Sequence, residues 1–181
     1  MTIAEPNDPK GKKPKPKVRY IRLRNKLQSK VGGAKRGEAG SVSPEVLEKA
    51  LAEMKKAEEE YPEWVRKTLV ELVDELKGAK EKQPIERTKH FKRVGAIAHE
   101  LKGQGGTFGY PLISAIGKSL NDFTQRDVLV TDNHLEILKA HIDTMRAVIN
   151  GHVSGDGGGI GRELIESLEH AIAKYGDTPA S

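Results

Sequence analysis

An all-α fold, an antiparallel helical bundle behind a basic tail, is what three observations on this 181-residue chain predict. Apolar residues recur at three- and four-residue spacing in six successive stretches between residues 44 and 175, the periodicity of helices that each bury one face. Short runs containing Pro, Gly, Asn or Asp separate those stretches, and the only strand-like run, residues 128–130, is too short to build a sheet. Only eight residues are aromatic, which suits a core of Leu, Ile, Val and Ala.

Residues 1–40 stand apart. They hold twelve Lys and Arg against Glu5, Asp8 and Glu38, a net +9, whereas the remainder of the chain is net −4. Residues 6–16 contain four prolines and no large apolar side chain, so they cannot offset their ordering entropy and are expected to be disordered. From Val18 to Leu27 apolar and basic residues alternate up to the Gly32-Gly33 break, a segment too short and too charged to be stable alone.

The helical domain is expected over 41–176. Ser43 as N-cap with Pro44 at the first helical position opens a helix carrying Val46, Leu47, Leu51 and Met54. Pro62 is expected to end it and to begin a second helix, with Trp64, Val65, Leu69, Leu72 and Leu76 on one face and a stop near Gly78. A third starts around Pro84 and carries Phe91, Val94, Ala98, Leu101, Gly105 and Phe108; a fourth follows Pro111 with Ile113, Ile116, Leu120 and Phe123. After the turn at Val130-Thr131-Asp132 a fifth carries Leu135, Leu138, Ile142, Met145 and Ile149, and the sixth, 161–175, has Leu164, Leu168 and Ile172.

Composition narrows the chemistry. With no cysteine, thiolate metal sites, iron–sulfur clusters, disulfides and cysteine nucleophiles are excluded. No apolar run reaches the ~18 residues of a membrane span, and lysines stand where a signal peptide would place its hydrophobic stretch, so a cytoplasmic location is expected.

The third helix departs from ordinary helix composition. Gly95, Gly103, Gly105 and Gly106 fall within twelve residues, each costing roughly 1 kcal/mol relative to Ala in a helix interior. With His99 at zero on a wheel of ~100° per residue, the apolar seam lies near about 230°, and Gly95, Lys102, Gly103 and Gly106 fall between about 300° and about 40°. His99 therefore projects beside the core seam, on a face stripped of side chains, with the Lys102 ammonium one turn away. Imidazole with a pKa near about 6.5 keeps a free lone pair at neutral pH without an activating base. Lys102 is placed to stabilise charge on transferring oxygens, and the glycines leave room for a partner's cleft.

The run Ala98-His99-Glu100-Leu101-Lys102-Gly103-Gln104-Gly105-Gly106-Thr107-Phe108-Gly109 resembles the signature of the histidine-containing phosphotransfer (HPt) domain. The resemblance implies a four-helix core, here with extra helices, whose exposed histidine relays a phosphoryl group between receiver-domain aspartates of a bacterial-type two-component phosphorelay. By position it makes His99 the phosphorylated residue and Lys102 its electrostatic helper, with Gly95, Gly103 and Gly106 on the face a partner approaches. The implied partners are the receiver domain of a response regulator or a hybrid histidine kinase. The receiver's Mg2+ would neutralise most of the charge, so the chain needs no cofactor or metal of its own. It would act as a phosphocarrier without ATP-dependent kinase activity.

Other features read as structure. His90, His134, His141, His152 and His170 are taken as surface histidines, since no carboxylate pair flanks His134 and His141 at ligand spacing. His99-Glu100 lacks the second histidine of a zincin, with Gly103 in its place. Residues 155–161 lack the Lys-Ser/Thr and the spacing of a nucleotide loop and are expected to be a flexible connection. Ser114, Lys118, Asn121 and Gln125 read as the solvated stripe of the fourth helix, as does the 55–60 charge run on the first. The competing function is a nucleic-acid or acidic-surface binder acting through the +9 tail, with Arg19, Tyr20, Arg22 and Arg24 as its contacts. No recognition helix rich in Arg and Asn supports it.

Overall fold

The computed structural model describes residues 42–126 and 129–176. The basic tail, with its Val18–Leu27 alternation, lies outside the described residues, and so does Val128 of the strand-like run. Contacts divide the chain into Met1–Leu47 and Glu48–Ser181, and the first unit is described only over residues 42–47.

Every long element described is helical: α1 Pro44–Lys80, α2 Thr88–Gln104, α3 Pro111–Thr124, α4 Asp132–Asn150 and α5 Gly158–Tyr175, with one 3-10 turn at Pro84–Glu86. Connections of six or seven residues join α2 to α3, α3 to α4 and α4 to α5, which makes consecutive helices antiparallel neighbours. The core between them takes Val65 and Leu72 from α1, Val94 and Leu101 from α2, Ile113 and Leu120 from α3, Ile142 and Met145 from α4, and Leu168 from α5. No helix among the described residues is long and apolar enough to cross a membrane.

The two helices expected on either side of Pro62 are one. Proline removes a single backbone bond and crowds the carbonyl four residues earlier, at a cost of ~3 kcal/mol, but the apolar stripe keeps its phase across it. Tyr61 and Val65, on either side, are both buried. Tyr61 stacks on Trp64 at 5.6 Å and lies 5.1 Å from Phe108 and 5.5 Å from Tyr110, so burial on the far side of Pro62 outweighs the local defect. The third expected helix is shorter than its seam. It starts at Thr88, after the 3-10 turn, and ends at Gln104, which leaves Phe108 in the turn that packs on Tyr61.

Residues 155–161, expected to be a flexible connection, are not one: Gly158–Gly161 lies in the first turn of α5, and Gly155 is tied to the α2–α3 connection. Gly155 N–H donates to Gly109 O at 2.9 Å, and Leu112 N–H donates to Gly155 O at 3.2 Å. Gly157 has φ +69°, and a β-carbon there would stand 2.9 Å from a Leu112 methyl, so a left-handed backbone and a close approach both require glycine. Helix α5 consequently begins at Gly158, three residues earlier than its apolar pattern indicates.

Candidate functional site

Helices α2 and α3 are the most closely apposed pair, and small residues make that possible. A β-carbon on Gly117 of α3 would lie 2.8 Å from Lys102 N and 3.1 Å from Ala98 O. One on Gly105 would lie 2.7 Å from Tyr110 O and 2.8 Å from Ser114 N. Polar side chains of α3 then finish the contact. Ser114 Oγ donates to Lys102 O and accepts Gly106 N–H, both at 2.8 Å, which satisfies groups left over at the end of α2. Asn121 Nδ2 donates to Gly95 O at 3.0 Å, and Thr124 Oγ1 donates to Asn121 O at 2.9 Å.

Ser114 and Asn121 are therefore not part of a solvated stripe: they face α2. Lys118 and Gln125 are exposed as read, and Lys118 pairs at 2.7 Å with Asp122, an ion pair that raises its pKa. Gly95 also differs from its expected place on a partner-facing surface. It is buried, and a β-carbon there would meet Thr124 Oγ1 at 2.7 Å, so its missing side chain serves the α2–α3 contact.

What remains of the glycine stripe lies around His99. The imidazole is exposed, and its nitrogens have no hydrogen-bond partner among the described residues. One helical turn on, Gly103 is exposed with no atom within 4 Å of where its β-carbon would stand. Gly106 would meet only Ser114 Oγ, at an ordinary 3.7 Å. One turn back, Ala96 is exposed and adds nothing beyond a methyl. Ala96 was legible in the sequence as the i−3 neighbour of His99, and its small size completes a smooth strip above and below the ring. Lys102 is half-buried and forms no ion pair among the described residues. Its i+3 spacing sets the two side chains ~5–6 Å apart at Cβ. The arrangement is a solvent-facing nucleophilic nitrogen and a cation on a surface that another molecule can approach closely.

The remaining histidines divide. His90 is paired with Glu75 at 2.7 Å, and His152 and His170 are exposed. His134 and His141, expected on the surface, are 2% and 0% exposed. Each is buried because both its nitrogens find partners. Thr131 N–H donates to His134 Nδ1 at 2.9 Å, so the proton sits on Nε2, which donates to Gly176 O at 2.7 Å. His141 is the other tautomer: Nδ1–H donates to Ile137 O at 2.8 Å, and Nε2 accepts the Ser119 hydroxyl at 3.1 Å.

Burial holds the His141 imidazole below its usual pKa, against a smaller upward pull from the Ile137 carbonyl. The unfolded chain therefore takes up a proton where the folded chain does not. This contribution to stability is complete above about pH 6.5 and is lost as pH falls below it. Moving from about pH 7.5 to about pH 5.5 is expected to lower the melting temperature of the native chain more than that of His141→Gln. Parallel pH curves from circular dichroism would show that His141 carries none of this dependence.

No protein-family model, no curated protein and no solved structure matches the chain.

Proposed function

We propose that the chain is a phosphorelay intermediate, in which His99 takes a phosphoryl group from an aspartyl phosphate on one receiver domain and gives it to the aspartate of another. The observation that carries this reading is Gly103. Gly103 stands in the exposed last turn of α2, where alanine would serve the helix better by up to about 1 kcal/mol, and nothing packs against it. Its lack of a side chain is explained by what must approach His99 one turn away.

The chemistry fits a bare imidazole. A neutral ring nitrogen attacks phosphorus with its lone pair while the other ring nitrogen keeps its proton. The N–P bond forms as the P–O bond to the donor carboxylate breaks, and the carboxylate leaves with that electron pair. The reverse transfer uses the same geometry. Lys102 is the group of this chain placed to offset charge on the phosphoryl oxygens, and the receiver's Mg2+ supplies the rest. The response-regulator or hybrid-kinase partner, and the cytoplasmic setting such relays imply, belong to the same proposal.

Incubation with a phosphorylated receiver is expected to move label onto this chain in an acid-labile, base-stable form. His99→Gln is expected to abolish the label, while His90→Gln and His170→Gln retain it. Equal labelling of His99→Gln would sink the assignment. The tail-based alternative predicts a different result: duplex DNA binding that survives physiological salt, with no phosphotransfer.

A further inference from the structure

Helix α1 carries one apolar stripe along its length, and among the described residues only the C-terminal half of that stripe is covered. Leu47, Leu51 and Met54 follow i, i+4, i+7 spacing, and the same phase runs on through Tyr61, Val65, Leu69, Leu72 and Leu76. The later residues are at most 7% exposed, whereas Leu47, Leu51 and Met54 are 53%, 57% and 56% exposed. The stretch before Tyr61 is about 25 Å of helix at ~1.5 Å per residue, and a helix of that length gains most of its stability from packing its apolar face.

We propose that this face pairs with the same face of a second copy of the chain, helix against helix and antiparallel, about a two-fold axis at Leu51. The charge pattern favours that occupant. One flank of the stripe carries Glu48 and Lys55 and the other carries Glu53 and Glu60. In an antiparallel pair each flank meets its own copy. An axis at Leu51 sets Glu48 of each copy against Lys55 of the other, and on the second flank it sets Glu53 opposite Ala50 and Glu60 opposite Ser43, so neither acid directly faces its own copy, as a two-fold interface requires. A parallel pair instead sets Glu48 and Lys55 against Glu53 and Glu60, where Glu48 meets only like charge. Ala50 and Ala57 border the stripe and let the helices approach. So short a stripe falls below the ~1,200 Å2 of a stable interface, which makes the dimer a reversible one that forms in the micromolar range.

Sedimentation equilibrium of the full chain is expected to show a monomer–dimer equilibrium across the micromolar range, and Leu51→Glu is expected to be monomeric throughout with an unchanged helical circular dichroism signal. Glu48→Lys is expected to weaken the dimer, and adding Lys55→Glu to restore it. Because the chain has no cysteine, orientation can be read by cross-linking. Leu51→Cys should oxidise to a dimer by itself, and a mixture of Leu47→Cys and Met54→Cys should give mostly the mixed dimer. A chain that stays monomeric, including one whose stripe is covered by its own residues 1–41, overturns the proposal. So does a dimer indifferent to Leu51→Glu, or one in which Leu47→Cys cross-links to itself in preference to Met54→Cys.

Discussion

Arg87→Ala is expected to destabilise the bundle by about 2–4 kcal/mol, the cost of leaving buried carbonyls without their donor together with the cavity that truncation opens. The Arg87 side chain is 8% exposed, and its guanidinium spans three stretches of chain. Nε donates to Ala79 O in the last turn of α1 and to Lys82 O just beyond it, at 3.1 and 2.9 Å. Nη1 donates to Val130 O at 3.3 Å and to Asp132 Oδ1 at 2.7 Å, where α4 begins. Truncation strands buried carbonyls and leaves a cavity, and water cannot repair both. Arg87→Lys is expected to lose most of the same stability, since a single ammonium cannot reproduce a planar fork directed at separated acceptors. Asp132→Asn should cost under about 1 kcal/mol, because its carboxylate is 86% exposed and the pair is screened on that side. Urea unfolding followed by circular dichroism separates these cases. Comparable losses for Arg87→Ala and Asp132→Asn would mean that the ion pair, not the carbonyl network, holds the junction.

Arg87 also shows where sequence reading stops. A lone arginine between Glu86 and Thr88 carries no local sign that its acceptors lie five, eight, 43 and 45 residues away. His134 and His141 were misread for the same reason: composition places histidine at the surface, and only the fold supplies Gly176 O and Ser119 Oγ as partners. His134 does have a local signal, since it sits at the third position after the Thr131 N-cap and accepts that residue's N–H. That is the capping-box place normally held by Glu or Gln. Pro62 is the opposite error, a strong local rule overruled by burial of Tyr61 just before it and of the stripe from Val65 onward. Where local chemistry and burial agree, the reading was close: Pro111 opens α3, Thr131 precedes α4, and His99 projects off the core seam to solvent.

The glycines of α2 and α3 give the sharpest test of which absences are structural and which are functional. Gly105→Ala and Gly117→Ala are each expected to cost about 1–3 kcal/mol, the usual range for overpacking. In both, the new methyl meets backbone atoms at 2.7–2.8 Å, and backbone cannot rotate away as a side chain can. Gly103→Ala is expected to have the opposite sign. No atom lies within 4 Å of the added carbon, and Gly103 is not among the positive-φ glycines, so helix propensity and a less disordered unfolded chain favour it by about 0.4–1 kcal/mol. On the proposed phosphotransfer reading, a position where alanine would stabilise the fold, yet glycine stands, serves access to His99. Gly103→Leu should therefore leave the bundle folded while slowing transfer to His99 by about tenfold or more, the equivalent of ~1.4 kcal/mol of lost docking. Melting curves and rates of label uptake from a phosphorylated receiver, measured on the same preparations, decide it. Gly103→Leu with native stability and unchanged uptake would leave the open surface beside His99 without a function.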